Sequence, residues 1–177
     1  MEENLVTTPI FWDKTFENEI AEVYRLFKDQ EKKIFDLTWF EENPNGIMDF
    51  IEDIIKNNNV FVVKDNDIVA GAFIIVSPKY YKDTILFANV HCSVSKKYWG
   101  KKSREVSKCF IKFLKNNFKI NKLIAEVPQC GYGIIKLLKN VGFIHEGTIK
   151  KVLVYNNKDN EPKLYDKLIY SLDMEDK

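Results

Sequence analysis

The sequence predicts an α+β fold in which one mixed β-sheet, mostly antiparallel, is flanked by about four helices. Three apolar strands, at 60–64, 68–76 and 85–94, follow one another with short polar turns between them, as in an antiparallel meander. An amphipathic segment at 104–117 then separates the third strand from a further apolar strand at 122–127. A strand–helix–strand connection crosses over between parallel strands, so these last two strands are expected to be parallel neighbours.

The elements before the meander are predicted from hydrophobic periodicity. Residues 8–12 form a short apolar run that indicates an edge strand, and 15–28 carry apolar residues at steps of three and four, typical of a helix. The segment 30–39 fits either a strand or a continuing helix. A turn or helix start at 43–46 leads to a second helix, whose apolar positions are Ile47, Phe50, Ile51, Ile54 and Ile55.

Glycine and proline residues indicate the boundaries of the later elements. In the strand 68–76, the run Ala70-Gly71-Ala72 predicts that another element packs closely on it, and Ser77-Pro78 is expected to open a loop. A short helix is predicted at 134–140, ended by Gly142. Two final strands, at 148–155 and 163–172, are joined by a polar hairpin.

Composition predicts a single domain over 1–177 and argues against several classes of function. The chain has 27 basic and 26 acidic residues, so its charge does not favour nucleic acid as a partner. No apolar run approaches the ~18 residues of a membrane span and no signal peptide is recognisable, which predicts a cytoplasmic protein without a membrane partner. Three cysteines and two histidines at unpatterned spacing indicate neither a disulfide framework nor a metal site.

A basic loop joins the strand 85–94 to the helix that follows it. The segment VSKKYWGKKS (94–103) contains one glycine, Gly100, among lysines. Amide groups at the start of a helix lack partners, and the helix dipole adds partial positive charge there, so this junction is a candidate anion site. The alternative is a basic turn that only connects two elements.

Two motifs resemble the GNAT superfamily of acyl-CoA N-acyltransferases. The basic loop is similar to the family's strand–loop–helix motif, and its Tyr98-Trp99-Gly100-Lys101 run most resembles the ribosomal-protein N-acetyltransferase branch and GNAT-like proteins of tailed phages. The second motif, LLKNVGF (137–143), is followed by His145-Glu146-Gly147 and resembles the family's terminal helix and L-G-F pattern. The order of elements in the first half of the chain also agrees.

The resemblance implies that acetyl-CoA is the cosubstrate and that the two parallel strands splay apart. The pantetheine arm would add to the first strand through the main chain of Cys92 and Val94. The pyrophosphate would bind at the basic loop, for which the candidates are Trp99, Gly100, Lys101, Lys102, Ser103 and Arg104. The implied partner is an amine acceptor of unknown identity, either a protein N-terminus, a lysine or a small molecule. A homodimer is the predicted alternative to a monomer.

The chain departs from the family pattern at four positions. Lys102 stands where a second glycine is usual, and a positive φ there would cost about 1 kcal/mol. Gly131 and Ile134 replace an asparagine and a serine, and Leu138 replaces the tyrosine that often serves as general acid. A second hypothesis is therefore a GNAT-fold protein that has lost catalysis and acts as a binding or assembly module.

Amine acetylation needs a group that takes the amine proton and one that protonates the leaving thiolate. In a splayed-strand arrangement, His91, Glu126 and Tyr132 can lie near the sulfur. His91 has a suitable intrinsic pKa, about 6.5, although it can instead be a structural histidine that faces a helix layer. Glu126 can instead be explained by an edge position. Tyr132 is a candidate to replace the missing tyrosine.

Overall fold

The computed structural model describes residues 5–10, 14–34, 46–56, 59–156 and 162–174. These residues form a seven-stranded sheet with flanking helices. The strands are β1 (Leu5–Ile10), β2 (Asn59–Asp65), β3 (Ile68–Tyr81), β4 (Thr84–Val94), β5 (Ile120–Pro128), β6 (Ile144–Asn156) and β7 (Pro162–Asp173). The helices are α1 (Glu17–Ile34), α2 (Ile47–Phe50, continued by a π-helical segment, Ile51–Ile55), α3 (Lys101–Asn117) and α4 (Tyr132–Asn140).

The strand order across the sheet is β1-β2-β3-β4-β5-β7-β6. Strands β4 and β5 pair in parallel, and every other neighbouring pair is antiparallel. The predicted α+β fold is thereby confirmed, with a mixed sheet, a central parallel pair and four helices in the described residues. In that part of the chain, no helix has both the length and the apolar character needed to cross a membrane.

Helices cover both faces of the sheet. Under α3 and α4 lies the larger core cluster, in which Phe110 stacks on Phe73 with ring centroids 4.1 Å apart. On the opposite face, α1 and α2 cover a second cluster that includes Ile20, Val23 and Phe50. The core residues of β4 belong to the larger cluster, and on the other face its Ser93 hydroxyl donates to the Leu26 carbonyl of α1.

Gly71 lies where α3 crosses β3. A Cβ atom at this position would be 2.9 Å from Cγ1 of Val106 and 3.3 Å from the carbonyl oxygen of Ser93. The close packing predicted from Ala70-Gly71-Ala72 is therefore present, and the packed element is α3. This contact places the helix directly on the strand beside β4.

Several boundaries differ from the sequence prediction. The edge strand predicted at 8–12 is β1, Leu5–Ile10, because its residues pair with β2 from Leu5 opposite Asp65 to Ile10 opposite Val60. The prediction of a loop at Ser77-Pro78 is wrong. Strand β3 continues to Tyr81, with a register irregularity between Val76 and Lys79 and φ 49° at Ser77. Helix α1 extends to Ile34, which resolves the first part of the ambiguous segment 30–39 as helix. Residues 35–39, together with the predicted features at 11–12, 43–45, 57–58 and 157–160, lie outside the described residues.

Candidate active site

The parallel strands β4 and β5 separate part-way along their length. Their last paired residues are Asn89 and Ile124. Beyond this pair, β4 continues to Val94 beside β3 alone, while β5 continues to Pro128 beside β7 alone. The sheet therefore opens between the carboxyl ends of two central strands.

The open side of β4 presents main-chain groups to this gap. The amide of Ser95 donates to the carbonyl oxygen of Ala70 (2.9 Å), so the main-chain groups of Ser95 point toward β3. Every second residue back along β4, beginning with Ser93, points its main-chain groups the same way. The intervening residues, including Cys92 and Val94, point theirs toward β5, where no strand pairs with them. The Val94 carbonyl also accepts a hydrogen bond from the indole N–H of Trp99 (2.9 Å).

A buried tyrosine attaches the loop after β4 to the sheet. Tyr98 is almost fully buried, and its hydroxyl donates to Oδ2 of Asp65 in β2 (3.0 Å). The chain then turns at Gly100, with φ 82° and ψ −130°, and α3 begins at Lys101. The hydroxyl of Ser103 donates back to the Gly100 carbonyl (2.7 Å), which fixes the first turn of the helix against the loop.

Basic side chains surround this helix start. The ammonium groups of Lys97 and Lys102 each lie 5.6 Å from the centroid of the Tyr98 ring, within the range of a cation–π contact. The Nε atom of Arg104 is buried and has no hydrogen-bond partner among the described residues. A buried donor of this kind is costly to leave unpaired, so Arg104 Nε has the capacity for one further acceptor.

The strain considered for Lys102 is absent. Lys102 lies in the first turn of α3, and the described non-glycine residues with positive φ are Asn66, Ser77, Lys82 and Lys151. The loop needs its left-handed residue at Gly100 only. A lysine at 102 therefore carries no backbone penalty, and it adds charge at the helix start.

His91 and Glu126 lie on the same face of the sheet, on the two strands that border the opening. Each residue is two positions beyond the last β4–β5 pair, Asn89 and Ile124, so the two side chains share one face of the sheet. Val90 and Cys92 pack on the other face, against the core under α3. His91 is thus exposed rather than facing that helix layer.

The surroundings of His91 alter its proton affinity. Desolvation by the surrounding protein lowers the pKa of the imidazole, while the charge of Glu126 raises it and that of Lys167 lowers it, with a net decrease. The imidazole keeps contact with water, and the protein around it still removes part of its hydration. A lowered pKa keeps it neutral, and able to accept a proton, near pH 7.

Lys167 is a residue that the sequence analysis did not predict. Its ammonium donates to Oε2 of Glu126 (2.8 Å), although in the sheet register it lies opposite Pro128. The signal in the sequence is weak, since a lysine in a strand usually indicates an exposed edge. Only the β5–β7 register shows that its side chain reaches diagonally to Glu126.

The other side chains considered for catalysis form no hydrogen bond with His91 or Glu126 in the described residues. Tyr132 is 80% exposed in the first turn of α4, and within the described residues no hydrogen bond or ring contact joins it to His91 or Glu126. Leu138 is buried in the core. Burial raises the pKa of the Cys92 thiol to about 11 and also raises that of Cys130, so both thiols stay protonated and are poor nucleophiles.

The decisive comparison is with protein-family models. The model described as an acetyltransferase (GNAT) domain matches residues 15–163, most of the chain. The chain belongs to the GNAT acetyltransferase family. The match spans both motifs on which the resemblance was based, and it includes the opening, the basic loop and α3. No match is found among curated proteins.

Solved structures share the GNAT fold over nearly the whole chain. One is yncA, a putative acetyltransferase from Salmonella typhimurium with its cofactor acetyl-CoA; it is 14% identical, with a TM-score of 0.66, covering 97% of this chain and 96% of that one. The ribosomal-protein-S5-alanine acetyltransferase from Vibrio fischeri is 16% identical, with a TM-score of 0.64 and coverage of 96% and 94%. The ribosomal-protein-alanine N-acetyltransferase from Brucella melitensis is 17% identical, with a TM-score of 0.62 and coverage of 94% and 99%. At these identities the likeness shows the fold alone.

Gly100 offers a direct test of the loop geometry in this GNAT chain. Replacing Gly100 by alanine meets no atom within 4 Å, so any cost arises from the backbone at φ 82°. We expect Gly100→Ala to lower the free energy of unfolding by about 1–3 kcal/mol, measured by urea denaturation.

Gly133 is the matched control, because a Cβ there also meets no atom within 4 Å but the residue lies in α4 without a positive φ. Alanine is the better helix former, so Gly133→Ala should be neutral or stabilising by about 0.5–1 kcal/mol. Equal effects of the two substitutions would contradict the assigned conformation of Gly100.

Proposed function

We propose that this GNAT chain is an acetyl-CoA-dependent N-acetyltransferase that acts on an amine in the cytoplasm. The observation that carries the proposal is the opening of the β4–β5 pair after Asn89 and Ile124, at the end where the basic loop leads into α3. One long ligand can therefore run from the gap between the strands to the start of a helix.

The residues fit a pantetheine arm at the opening. An extended amide chain can add to a free strand edge through main-chain hydrogen bonds. The main-chain groups of Cys92 and Val94 point into the gap, and the Trp99 indole holds the Val94 carbonyl from the loop side. A carbonyl oxygen has two lone pairs, so Val94 can accept a second hydrogen bond.

The residues also fit a pyrophosphate at the loop. Space around Gly100 is open, and α3 is a 17-residue helix whose first-turn amides are available to an anion. Lys101, Lys102 and Arg104 supply positive charge, and an anion would give Arg104 Nε the partner it lacks. Ser103 holds the first turn of the helix in place through Gly100.

The chemistry is an acyl transfer. The amine nitrogen attacks the thioester carbonyl carbon, a C–N bond forms, the C–S bond breaks, and the amine loses one proton while the thiolate gains one. We assign proton acceptance to the face that carries His91 and Glu126, since His91 is neutral near pH 7. Tyr132 is the candidate proton donor to the thiolate, because Leu138 has no group that ionises.

The second candidate is a binding or assembly module of GNAT fold without catalysis. The observation that favours it is the burial of Leu138 in the core, at the position where the family often has a tyrosine acid. This module would keep the GNAT fold and would catalyse no acetyl transfer, whether or not it binds acetyl-CoA.

Ligand-dependent unfolding tests the cofactor site. Acetyl-CoA that binds only the folded chain should stabilise it by about 2.7 kcal/mol at 100 times its dissociation constant, which raises the melting temperature. Acetyl phosphate at the same concentration is the control, since it lacks the pantetheine and the pyrophosphate. No shift with millimolar acetyl-CoA would contradict the proposed cofactor site.

An assay of acetyl transfer then distinguishes an active enzyme from a binding module without catalysis. Thiol release should be followed with an alanine-starting peptide, a lysine-containing peptide with a blocked N-terminus, and small-molecule amines. The peptide with a free N-terminal alanine comes first, because the Tyr98-Trp99-Gly100-Lys101 run resembles the ribosomal-protein branch and two solved structures of like fold carry that name. Binding of acetyl-CoA with no thiol release from any acceptor would favour the module.

A further inference from the structure

Three charged or titratable side chains from three strands lie on one face of the sheet, beside the opening. His91 is on β4, Glu126 on β5 and Lys167 on β7. The first two share one face of the sheet, each two residues beyond the last paired residues of its strand. Lys167 is the third, and its ammonium lies 2.8 Å from Oε2 of Glu126.

The two carboxylate oxygens of Glu126 differ in their hydrogen bonds. Oε2 accepts from Lys167, and Oε1 makes no hydrogen bond within the described part of the chain. The side chains of Lys167 and Glu126 are 27% and 39% exposed, so the pair is partly shielded from solvent. Lys167 therefore limits the positions that the carboxylate can take across the opening.

We propose that Lys167 is a positioning residue for acetyl transfer, which holds the Glu126 carboxylate opposite His91 so that the imidazole accepts the amine proton. The proton moves from the amine nitrogen to the His91 ring, Glu126 remains a carboxylate, and Lys167 remains an ammonium ion. The carboxylate then stabilises the imidazolium that forms. This role rests on the proposed function.

The groups that act on His91 come from the neighbouring strands. Glu126 from β5 and Lys167 from β7 are the charges, and they act in opposite directions on the pKa of the imidazole. On the other side, β3 places Ile74 beside His91. Helix α1 packs near this face, where the Leu26 carbonyl accepts the Ser93 hydroxyl, and its described residues add no charge acting on the ring.

A proton titration by NMR tests the arrangement without requiring turnover. The chain has 2 histidines, so a His145→Gln variant assigns the ring resonances. We expect Lys167→Met to raise the titration midpoint of His91, because a positive charge that lowers the pKa of the imidazole is removed. We expect Glu126→Gln to lower it. Lys167→Arg should keep the wild-type midpoint, since it keeps the charge and the hydrogen bond.

Lys150→Met is the matched control. Lys150 also pairs with a carboxylate, Asp166, at 2.9 Å, but it does not contact Glu126. Its loss should leave the His91 midpoint unchanged. Shifts of the same sign in Lys167→Met and Glu126→Gln, or no shift in either, would overturn the proposal and leave the pair as an ordinary cross-strand ion pair.

Turnover separates this inference from the proposed function. In an active enzyme, the acid limb of the kcat/KM profile should move upward in Lys167→Met and downward in Glu126→Gln, with the KM for acetyl-CoA unchanged. An active enzyme whose acid limb stays in place in both variants would overturn the role of Lys167 alone. Shifted NMR midpoints in a chain that acetylates no amine would overturn the proposed function, and this role with it.

Discussion

Replacing His91 with alanine should reduce kcat by about 10²–10⁴-fold, the range expected when a positioned proton acceptor is removed. The imidazole lies on the same face as Glu126 at the opening of the sheet, and desolvation lowers its pKa. In the wild type, the acid limb of kcat/KM should therefore lie below the unperturbed histidine value of about 6.5. The acid limb should be lost in the variant. Steady-state kinetics from pH 5 to pH 9 provide the measurement.

The second histidine provides the control for this result. His145 on β6 contacts the Tyr170 ring and lies within hydrogen-bond distance of Thr148, on the far side of the sheet order from β4. His145→Ala should leave kcat and its pH dependence close to the wild type. Because His91 is exposed, His91→Ala should also melt near the wild-type temperature. An unchanged rate and pH profile in His91→Ala would remove this residue from the mechanism.

Replacing Phe110 with alanine should lower the free energy of unfolding by about 3–5 kcal/mol. Phe110 is 1% exposed, stacks on Phe73, and lies 5.6 Å from the Phe61 ring centroid. These contacts attach α3 to the sheet, so the loss is a large part of a typical stability of about 5–15 kcal/mol. Guanidinium unfolding followed by circular dichroism is the measurement.

Phe118 is the matched comparison, since it also contacts the Phe61 ring but is 41% exposed. Phe118→Ala removes less buried area, and we expect a loss below about 1.5 kcal/mol. Phe110→Leu should fall between the wild type and Phe110→Ala. A loss in Phe118→Ala equal to that in Phe110→Ala would contradict the assigned core.

Much of the fold could be predicted because local patterns recur along the chain. The spacing of apolar residues placed four helices and the strands of the meander, and the strand–helix–strand order predicted the parallel β4–β5 pair. The prediction failed at Ser77-Pro78, where the sequence pattern indicated a loop. Pairing with β4 before and after Ser77-Pro78 lets β3 continue through a register irregularity, which is a tertiary effect.

The candidate site could be predicted in part. The basic loop and Gly100 followed from a motif that is contiguous in sequence, and the structure places them at the start of α3. The alternation of Val90, His91 and Cys92 left open which side chain faces the helices. Packing of Val90 and Cys92 under α3 decides that His91 lies on the other face. The catalytic and binding roles of these residues remain predictions.

The sequence by itself determined the family, the order of elements and the charged loop, because these depend on residues that are neighbours in the chain. Only the tertiary structure decided where β4 and β5 separate, that Lys102 is unstrained in the first turn of α3, and that Lys167 reaches Glu126. These features depend on strand register, which joins residues that are far apart in sequence. A shift of one residue in that register would turn His91 or Glu126 to the opposite face.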